Sequence, residues 1–241
     1  MISYPTATGE FSIPHGVTTI SHGAFQNTEN LTGISIPNSV TTIESFAFWA
    51  TGLTSIEIPN SVTSLRNDSI KQCPNLTSVT LSNNISTIEA YTFAGCINLT
   101  SIEIPESVTV IEYCAFSQCS SLTNIELPDS VTSIGNEAFY WCSSLTNITI
   151  PESVTTIGNA AFSYCSSLTN IELPNSVTSL GNALFNYCTS LESVTLPENI
   201  TSISPYTFYY CNNLRDITIP ESVKTIGYQA FEGCSSLTNI T

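Results

Sequence analysis

The sequence of 241 residues is poor in basic side chains, with four Lys and Arg residues against nineteen Asp and Glu residues. The formal net charge of −15 opposes binding to phosphate backbones and anionic membranes, so we expect no nucleic-acid partner. Apolar runs of about 18 residues are lacking, and Met1–Pro5 has neither the basic nor the apolar region of an export signal. The sequence therefore predicts no membrane insertion by this chain and no signal peptide within it.

Residues that perform chemistry are also scarce. His15 and His22 are the only histidine bases. Both lie near the start of the sequence, before the regular repeat described below, and no nucleophile pattern accompanies them. The carboxylates recur in rows, whereas acid–base catalysis needs a pair in two distinct environments within a cleft. We therefore expect no catalytic residue, no metal, no cofactor and no enzymatic activity.

A repeat dominates the rest of the sequence. One leucine recurs every 23 residues, apart from a first step of 22. We number each unit from this leucine as position 0, and a typical unit reads LTSIEIPESVTVIEYCAFSQCSS. A period of this length is typical of stacked structural repeats. The leucines are Leu31, Leu53, Leu76, Leu99, Leu122, Leu145, Leu168, Leu191, Leu214 and Leu237.

Two patterns inside the unit predict its local structure. Positions 3 and 5 are apolar around a polar position 4, as in Ile102 and Ile104, which predicts a short half-buried strand. The proline common at position 6 should end that strand. Apolar residues at positions 12, 16, 17 and 20 share one face of a predicted short helical turn. Neither element can bury its apolar side alone, so each unit must stack on its neighbours.

The unit resembles the BspA-like, or Treponema-type, leucine-rich repeat of bacterial surfaces, whose template is similar to LxxIxIPxxVxxIGxxAFxxCxx. Nearly every residue from Phe11 to Thr241 fits this template, and residues 4–14 are similar to the lead-in that opens such arrays. The resemblance implies a leucine-rich-repeat solenoid of about ten 23-residue units, each a short parallel β-strand plus a short helical turn. It also implies a secreted or cell-surface module for adhesion or ligand binding.

We expect a single array over residues 1–241. Its segments are an atypical lead-in and first unit at 1–30, regular units at 31–236 and a truncated unit at 237–241. No polar capping unit follows that last segment, so its core cross-section should be exposed. Either further units cover it or it stacks on another copy.

Eight of the nine cysteines occupy position 20 of successive units and therefore form a ladder. Stacked units lie about 4.8 Å apart, farther than the roughly 3.8 Å between the β-carbons of a relaxed disulfide. We expect reduced, buried thiols, and a line of thiols does not form the tetrahedral cluster of a zinc site. Cys114, at position 15, is expected to be a partly exposed free thiol without an activating neighbour.

The first candidate for ligand binding is the polar face of the strands, which is concave in this fold. Positions 2 and 4 point away from the core there. A basic protein patch, a glycan or weakly held calcium would fit such an acidic face, and the alternative is a solvated sheet without a ligand. The carboxylates of position 4 are Glu57, Glu103, Glu126 and Glu172.

The second candidate is position 19, which is aromatic in four successive units. If exposed, such rings suit protein interfaces and sugar stacking. The alternative is that they pack down over the adjoining turns. We call this set the aromatic column, and it comprises Trp141, Tyr164, Tyr187 and Tyr210.

Asn-x-Ser/Thr motifs are frequent, but the abundance of Asn, Ser and Thr alone accounts for most of them. They are acceptors for N-glycosylation only in a eukaryotic secretory setting. The asparagines are Asn30, Asn67, Asn75, Asn84, Asn98, Asn147, Asn199 and Asn239.

Two functions are left open by these patterns. The first is a non-catalytic surface or secreted module that binds a protein or a glycan. The second is a structural protein that self-assembles end to end, through its uncapped C-terminal end, into larger arrays or filaments.

Overall fold

The computed structural model describes residues 7–240, which form a parallel β-solenoid. About ten coils of 23 residues follow one another, as the repeat predicts. Residues 1–6, where the lead-in begins and where no export signal is expected, lie outside the described residues together with Thr241. The division into three segments stays a prediction.

The predicted half-buried strand is present at positions 2–4 of the coils. Its middle residue is buried and its two neighbours point outward, since side chains alternate along a strand. Five pairs of these strands form parallel ladders between adjacent coils with a shift of one repeat, for example Ile125 with Ile148. We call these strands sheet A. They are Gly9–Ser12, Leu31–Ser35, Ser55–Glu57, Ser78–Thr80, Asn124–Glu126, Asn147–Thr149, Asn170–Glu172, Ser193–Thr195, Asp216–Ile217 and Asn239–Ile240, with a single parallel bridge from Glu103 to Glu126.

A second set of strands, not expected from the sequence, occupies positions 11 and 12. Each has two residues and pairs in parallel with the equivalent strand of at least one adjacent coil, as Ile134 does with Ile157. The apolar position 12 thus belongs to a strand rather than to a helical turn. We call these strands sheet B. They are Thr19–Ile20, Thr42–Ile43, Ser64–Leu65, Thr87–Ile88, Val110–Ile111, Ser133–Ile134, Thr156–Ile157, Ser202–Ile203 and Thr225–Ile226.

The predicted helical turn is wrong, because residues 7–240 contain no helix. Positions 14–20 are instead a run of tight turns, which we call the turn segment. Its amides alternate in direction. Those of Glu137, Phe139 and Trp141 donate to carbonyl oxygens of the next coil at 2.8 to 2.9 Å, while those between them bond three residues back. Because every second amide donates its hydrogen bond to the next coil, the i to i−4 hydrogen bonds of a helix cannot form.

Left-handed backbone at two positions makes this alternation feasible. Positions 15 and 19 have positive φ in every coil, from 49° at Gln229 to 79° at Gly233. A positive φ at the third residue is what a type II turn requires. Most of these residues are not glycine, so the backbone is strained at regular intervals along the array.

The core is one continuous cluster along the solenoid axis. The leucine of position 0 is fully buried in the inner coils. The phenylalanines of position 17 stack on one another, with ring centroids 5.4 to 5.9 Å apart. This stack comprises Phe93, Phe116, Phe139, Phe162, Phe185 and Phe208.

The last coil of the described chain leaves apolar side chains in contact with solvent. Ile226 is 56% exposed and Ile240 is 52% exposed, whereas the equivalent Ile203 and Ile217 of the preceding coil are 1% and 3% exposed. In the first coil Ile20 and Phe25 are 3% and 2% exposed. The last described coil therefore exposes apolar positions that the coils before it bury.

Candidate functional site

The acidic row predicted from position 4 lies on the outward face of sheet A. Glu57, Glu103, Glu126 and Glu172 are all exposed. Glu103 and Glu126 lie opposite each other on adjacent coils, where their backbones form a parallel bridge. Like charges this close repel one another, so a cationic partner would relieve repulsion as well as gain attraction.

A second acidic row, which the sequence analysis missed, runs beside the first at position 7. Its exposed carboxylates follow the proline that ends each strand of sheet A, as in Glu106, Asp129 and Glu152. A surface depression between the rows is lined by Glu103, Glu106 and Glu126. Further along the array a similar depression is lined by Asp129, Glu152 and Glu172. We call these six carboxylates and the strand ends between them the acidic groove. The signal in the sequence is that position 7 is Asn, Asp or Glu in each unit from Asn38 to Glu221.

The aromatic column is a continuous stack of rings on the turn segments. Centroids of successive rings are 5.0, 4.9 and 5.1 Å apart from Trp141 to Tyr210, with interplanar angles of 5° to 13°. Trp141 is 48% exposed, and the three tyrosines are half-buried. Each ring therefore packs on its neighbours, and its edge faces solvent.

Two tyrosines of position 18 lean against this stack. Tyr140 meets Tyr164 at 67°, and Tyr209 meets Tyr187 at 68°. Tyr164 and Tyr187 have both ring faces covered within the stack. In the T-shaped contacts, the edges of these two rings therefore point at the ring faces of Tyr140 and Tyr209. Burial in this cluster raises the pKa of Tyr140.

The fold does not require aromatic residues at position 19. The same position is Gln72 and Gln118 in earlier coils with the same left-handed backbone, and Gly95 and Gly233 fit that backbone without strain. A bulky side chain at positive φ costs of the order of 1 kcal/mol or more. The same cost applies to Gln72 and Gln118, so the backbone does not select aromatic residues at this position.

The cysteine ladder serves the core rather than chemistry. All nine cysteines are free thiols, and those of position 20 donate to the carbonyl oxygen of position 17 in the preceding coil, as Cys165 Sγ does to Phe139 at 3.2 Å. Burial raises the pKa of Cys119 and of Cys165 to about 12, so neither is a nucleophile at neutral pH. Thr28 and Thr51 take this position in the first two coils, and Thr28 also donates to a backbone carbonyl.

The expectation for Cys114 needs correction, because this thiol is buried and only 3% exposed. Its Sγ lies 3.5 Å from Glu137 Oε2 of the next coil. Burial raises the pKa of Cys114 to about 11. Position 15 begins a tight turn at positive φ, which directs its side chain along the array toward the next coil rather than into solvent.

The histidines lie apart from the acidic rows described above. In the part of the chain that the structure describes, no three His, Cys, Asp or Glu side chains converge in a way that would hold a metal ion. The ring of His22 packs edge-on against Phe46 at 5.2 Å, and its backbone amide donates to Glu44. Across residues 7–240 no helix is long and apolar enough to span a bilayer.

The asparagines of the glycosylation motifs are all exposed. The amides of Asn84 and Asn98 already donate to backbone carbonyls of the preceding coil, both at 2.7 Å. Glycosylation at any of these asparagines stays a prediction.

The stacked parallel coils, their constant leucines and their two sheets define the class of protein, which is a leucine-rich-repeat solenoid. Residues 4–123 and 111–238 match the model of the BspA type leucine rich repeat region in six copies. The chain belongs to this family.

Solved bacterial structures agree with this assignment. A leucine-rich repeat protein from Bacteroides ovatus is 31% identical with a TM-score of 0.83, covering 97% of this chain and 66% of that one. The T. pallidum leucine rich repeat protein is 28% identical with a TM-score of 0.65, covering 82% of each chain. A leucine rich cell surface protein from Faecalibacterium prausnitzii is 30% identical with a TM-score of 0.57, covering 97% of this chain and 59% of that one.

The chain spans less than two thirds of the length of the Bacteroides and Faecalibacterium proteins. No curated protein matches its sequence.

Proposed function

We propose that this protein is a non-catalytic binding module that recognises a positively charged protein partner through the acidic groove. The observation that carries the proposal is the pair of parallel carboxylate rows along sheet A, which face solvent and are not neutralised by neighbouring cations. Because the whole chain has only four basic residues, little positive charge offsets the negative electrostatic potential of these rows, which extends into solvent.

The repeat makes this surface suitable for an extended partner. Equivalent carboxylates recur on successive coils, so a partner lying along the solenoid meets the same chemistry several times. Surface charges of this kind mainly accelerate association and select partners by charge.

A position outside the cell, either secreted or on the cell surface, is part of the proposal. The F. prausnitzii relative is described as a cell surface protein, and it covers nearly all of this chain. Adhesion to such a partner is the role we propose for the module.

The acidic groove is tested with the double variant Glu103→Gln/Glu126→Gln. We expect it to weaken binding of a lysine-rich peptide about three- to ten-fold, because each exposed charge contributes up to about 1 kcal/mol. Biolayer interferometry should show the loss mainly in the association rate, and parent binding should weaken as salt rises to about 0.15 M.

The matched control is Glu89→Gln/Glu112→Gln, which removes the same charge from two adjacent coils at position 13, outside the groove. Equal weakening by both double variants would show that net charge alone attracts the peptide. That outcome would refute a specific site on sheet A.

A second candidate function is self-association through the C-terminal end, which the exposure of Ile226 and Ile240 favours. Stacking of this surface on another copy would join chains end to end into larger arrays or filaments. Sedimentation velocity at rising concentration should then show assemblies larger than the monomer, and Ile226→Lys should dissociate them. A monomer at all concentrations would contradict this expectation.

A further inference from the structure

The turn segments that carry the aromatic column differ from the rest of the surface in charge. The segments 158–166, 181–189 and 204–212, which carry the three tyrosines, contain no Asp, Glu, Lys or Arg, whereas the segment of Trp141 contains Glu137. The middle of the column therefore offers a ligand no charged partner. Glu137 and Glu232, near its two ends, disfavour an anionic ligand.

Two polar side chains lie between two tyrosines at position 18, beside the aromatic column. Position 18 reads Tyr140, Ser163, Asn186 and Tyr209 on four successive coils, whose turn segments are joined by backbone hydrogen bonds. The two inner side chains are smaller than the tyrosines that flank them. Ser163 is buried and Asn186 is half-buried. Within residues 7–240, Oδ1 of Asn186 has no hydrogen-bond partner, and rotation of this amide toward a ligand hydroxyl would satisfy it.

This face combines the edges of stacked aromatic rings, phenolic hydroxyls and the uncharged amide of Asn186. Sugar rings present the complementary set, with apolar C–H faces and many hydroxyls. The column repeats every 4.9 to 5.1 Å, so a polymer of identical units can make an equivalent contact on each coil.

We propose that the aromatic column, together with Tyr140 and Tyr209, binds an extended neutral polysaccharide that lies along the solenoid axis. The inference rests on the proposed function only because both assume that this protein is a binding module. It concerns a different face from the acidic groove. At the Trp141 end of the column the exposed indole adjoins Tyr140, with the two ring centroids 6.0 Å apart.

The test is calorimetric titration of the full chain with neutral oligosaccharides, namely cellohexaose, maltohexaose, xylohexaose and mannohexaose, and with the disaccharide of each series. We expect at least one hexasaccharide to bind, and to bind at least ten-fold more tightly than its disaccharide. Tyr140→Ser/Trp141→Gln should weaken that binding at least ten-fold. This double variant reproduces the pair Ser117 and Gln118 of the preceding coil, so we expect it to fold.

The control is Glu103→Gln/Glu126→Gln, which should leave sugar binding unchanged while weakening the lysine-rich peptide. The proposal is overturned if no neutral hexasaccharide binds, if hexagalacturonate binds as tightly as the best neutral sugar, or if Tyr140→Ser/Trp141→Gln binds like the parent. If the chain binds the peptide but no sugar, the proposed function stands and the polysaccharide proposal is refuted.

Discussion

Replacing Phe139 with alanine is expected to lower the free energy of unfolding by about 3 to 5 kcal/mol, as for other fully buried phenylalanines. The ring of Phe139 lies between Phe116 and Phe162, 5.5 Å from each and within 2° of parallel. Coils linked by hydrogen bonds on both sides cannot collapse into the space, so the cavity persists. Urea denaturation followed by circular dichroism measures the loss.

The matched comparison is Phe231→Ala in the last coil. Phe231 is half-buried and stacks on one described neighbour, Phe208, at 5.2 Å. Since stability in a solenoid depends on contacts between adjacent repeats, the loss should be about half as large. An equal or smaller cost for Phe139→Ala would show that the stacked rings do not couple the coils.

The repeat period allowed the solenoid, the strands of sheet A and most of the core to be predicted. Apolar periodicity reports which side chains face inward, and Ile102, Ile104 and Phe162 are indeed buried. It does not report where the backbone amides donate. Spacings of four and five residues fit a helical face, but in this structure the same residues, such as Ala138, Phe139 and Cys142, face the core from a run of turns.

The left-handed positions could not be inferred from residue type. Position 19 carries Trp141, Gln118 and Ala50 at φ near +60°, although such residues rarely adopt this conformation. Hydrogen bonds to the next coil impose it, and those bonds exist only once coils stack. The buried state of Cys114 follows from the same turn geometry and was missed for the same reason.

The candidate surfaces were partly predictable. The carboxylates of position 4 follow from strand alternation, whereas the row containing Glu106 and Asp129 follows a proline and has no regular pattern within one unit. Only the stacked structure brings it beside Glu103 and Glu126. Likewise, the sequence places four aromatic residues in line, but the ring faces that remain free depend on how Tyr140 leans against the stack.

Alkaline pH is expected to destabilise the array through its buried thiols. Burial raises the pKa of Cys119 and Cys165 from near 9 to about 12. Between these values the unfolded chain has lost protons that the folded chain retains, so the unfolding free energy falls as pH rises. Each thiol should cost about 1.4 kcal/mol per pH unit above 9, and well below pH 9 neither has an effect.

The measurement compares the parent with Cys119→Thr/Cys165→Thr by urea denaturation at pH 8 and at about pH 10.5. The parent should lose about 4 kcal/mol more than the variant over this interval, because two ionisable thiols are removed. Threonine already occupies this position as Thr28, whose hydroxyl donates to the carbonyl oxygen of Phe25 in its own coil, and as Thr51, whose hydroxyl lies 3.2 Å from Cys73 Sγ. Any cost of the extra methyl group is independent of pH and cancels in the difference. Equal losses in both proteins would mean that tyrosine ionisation or general charge repulsion, rather than the cysteine ladder, limits alkaline stability.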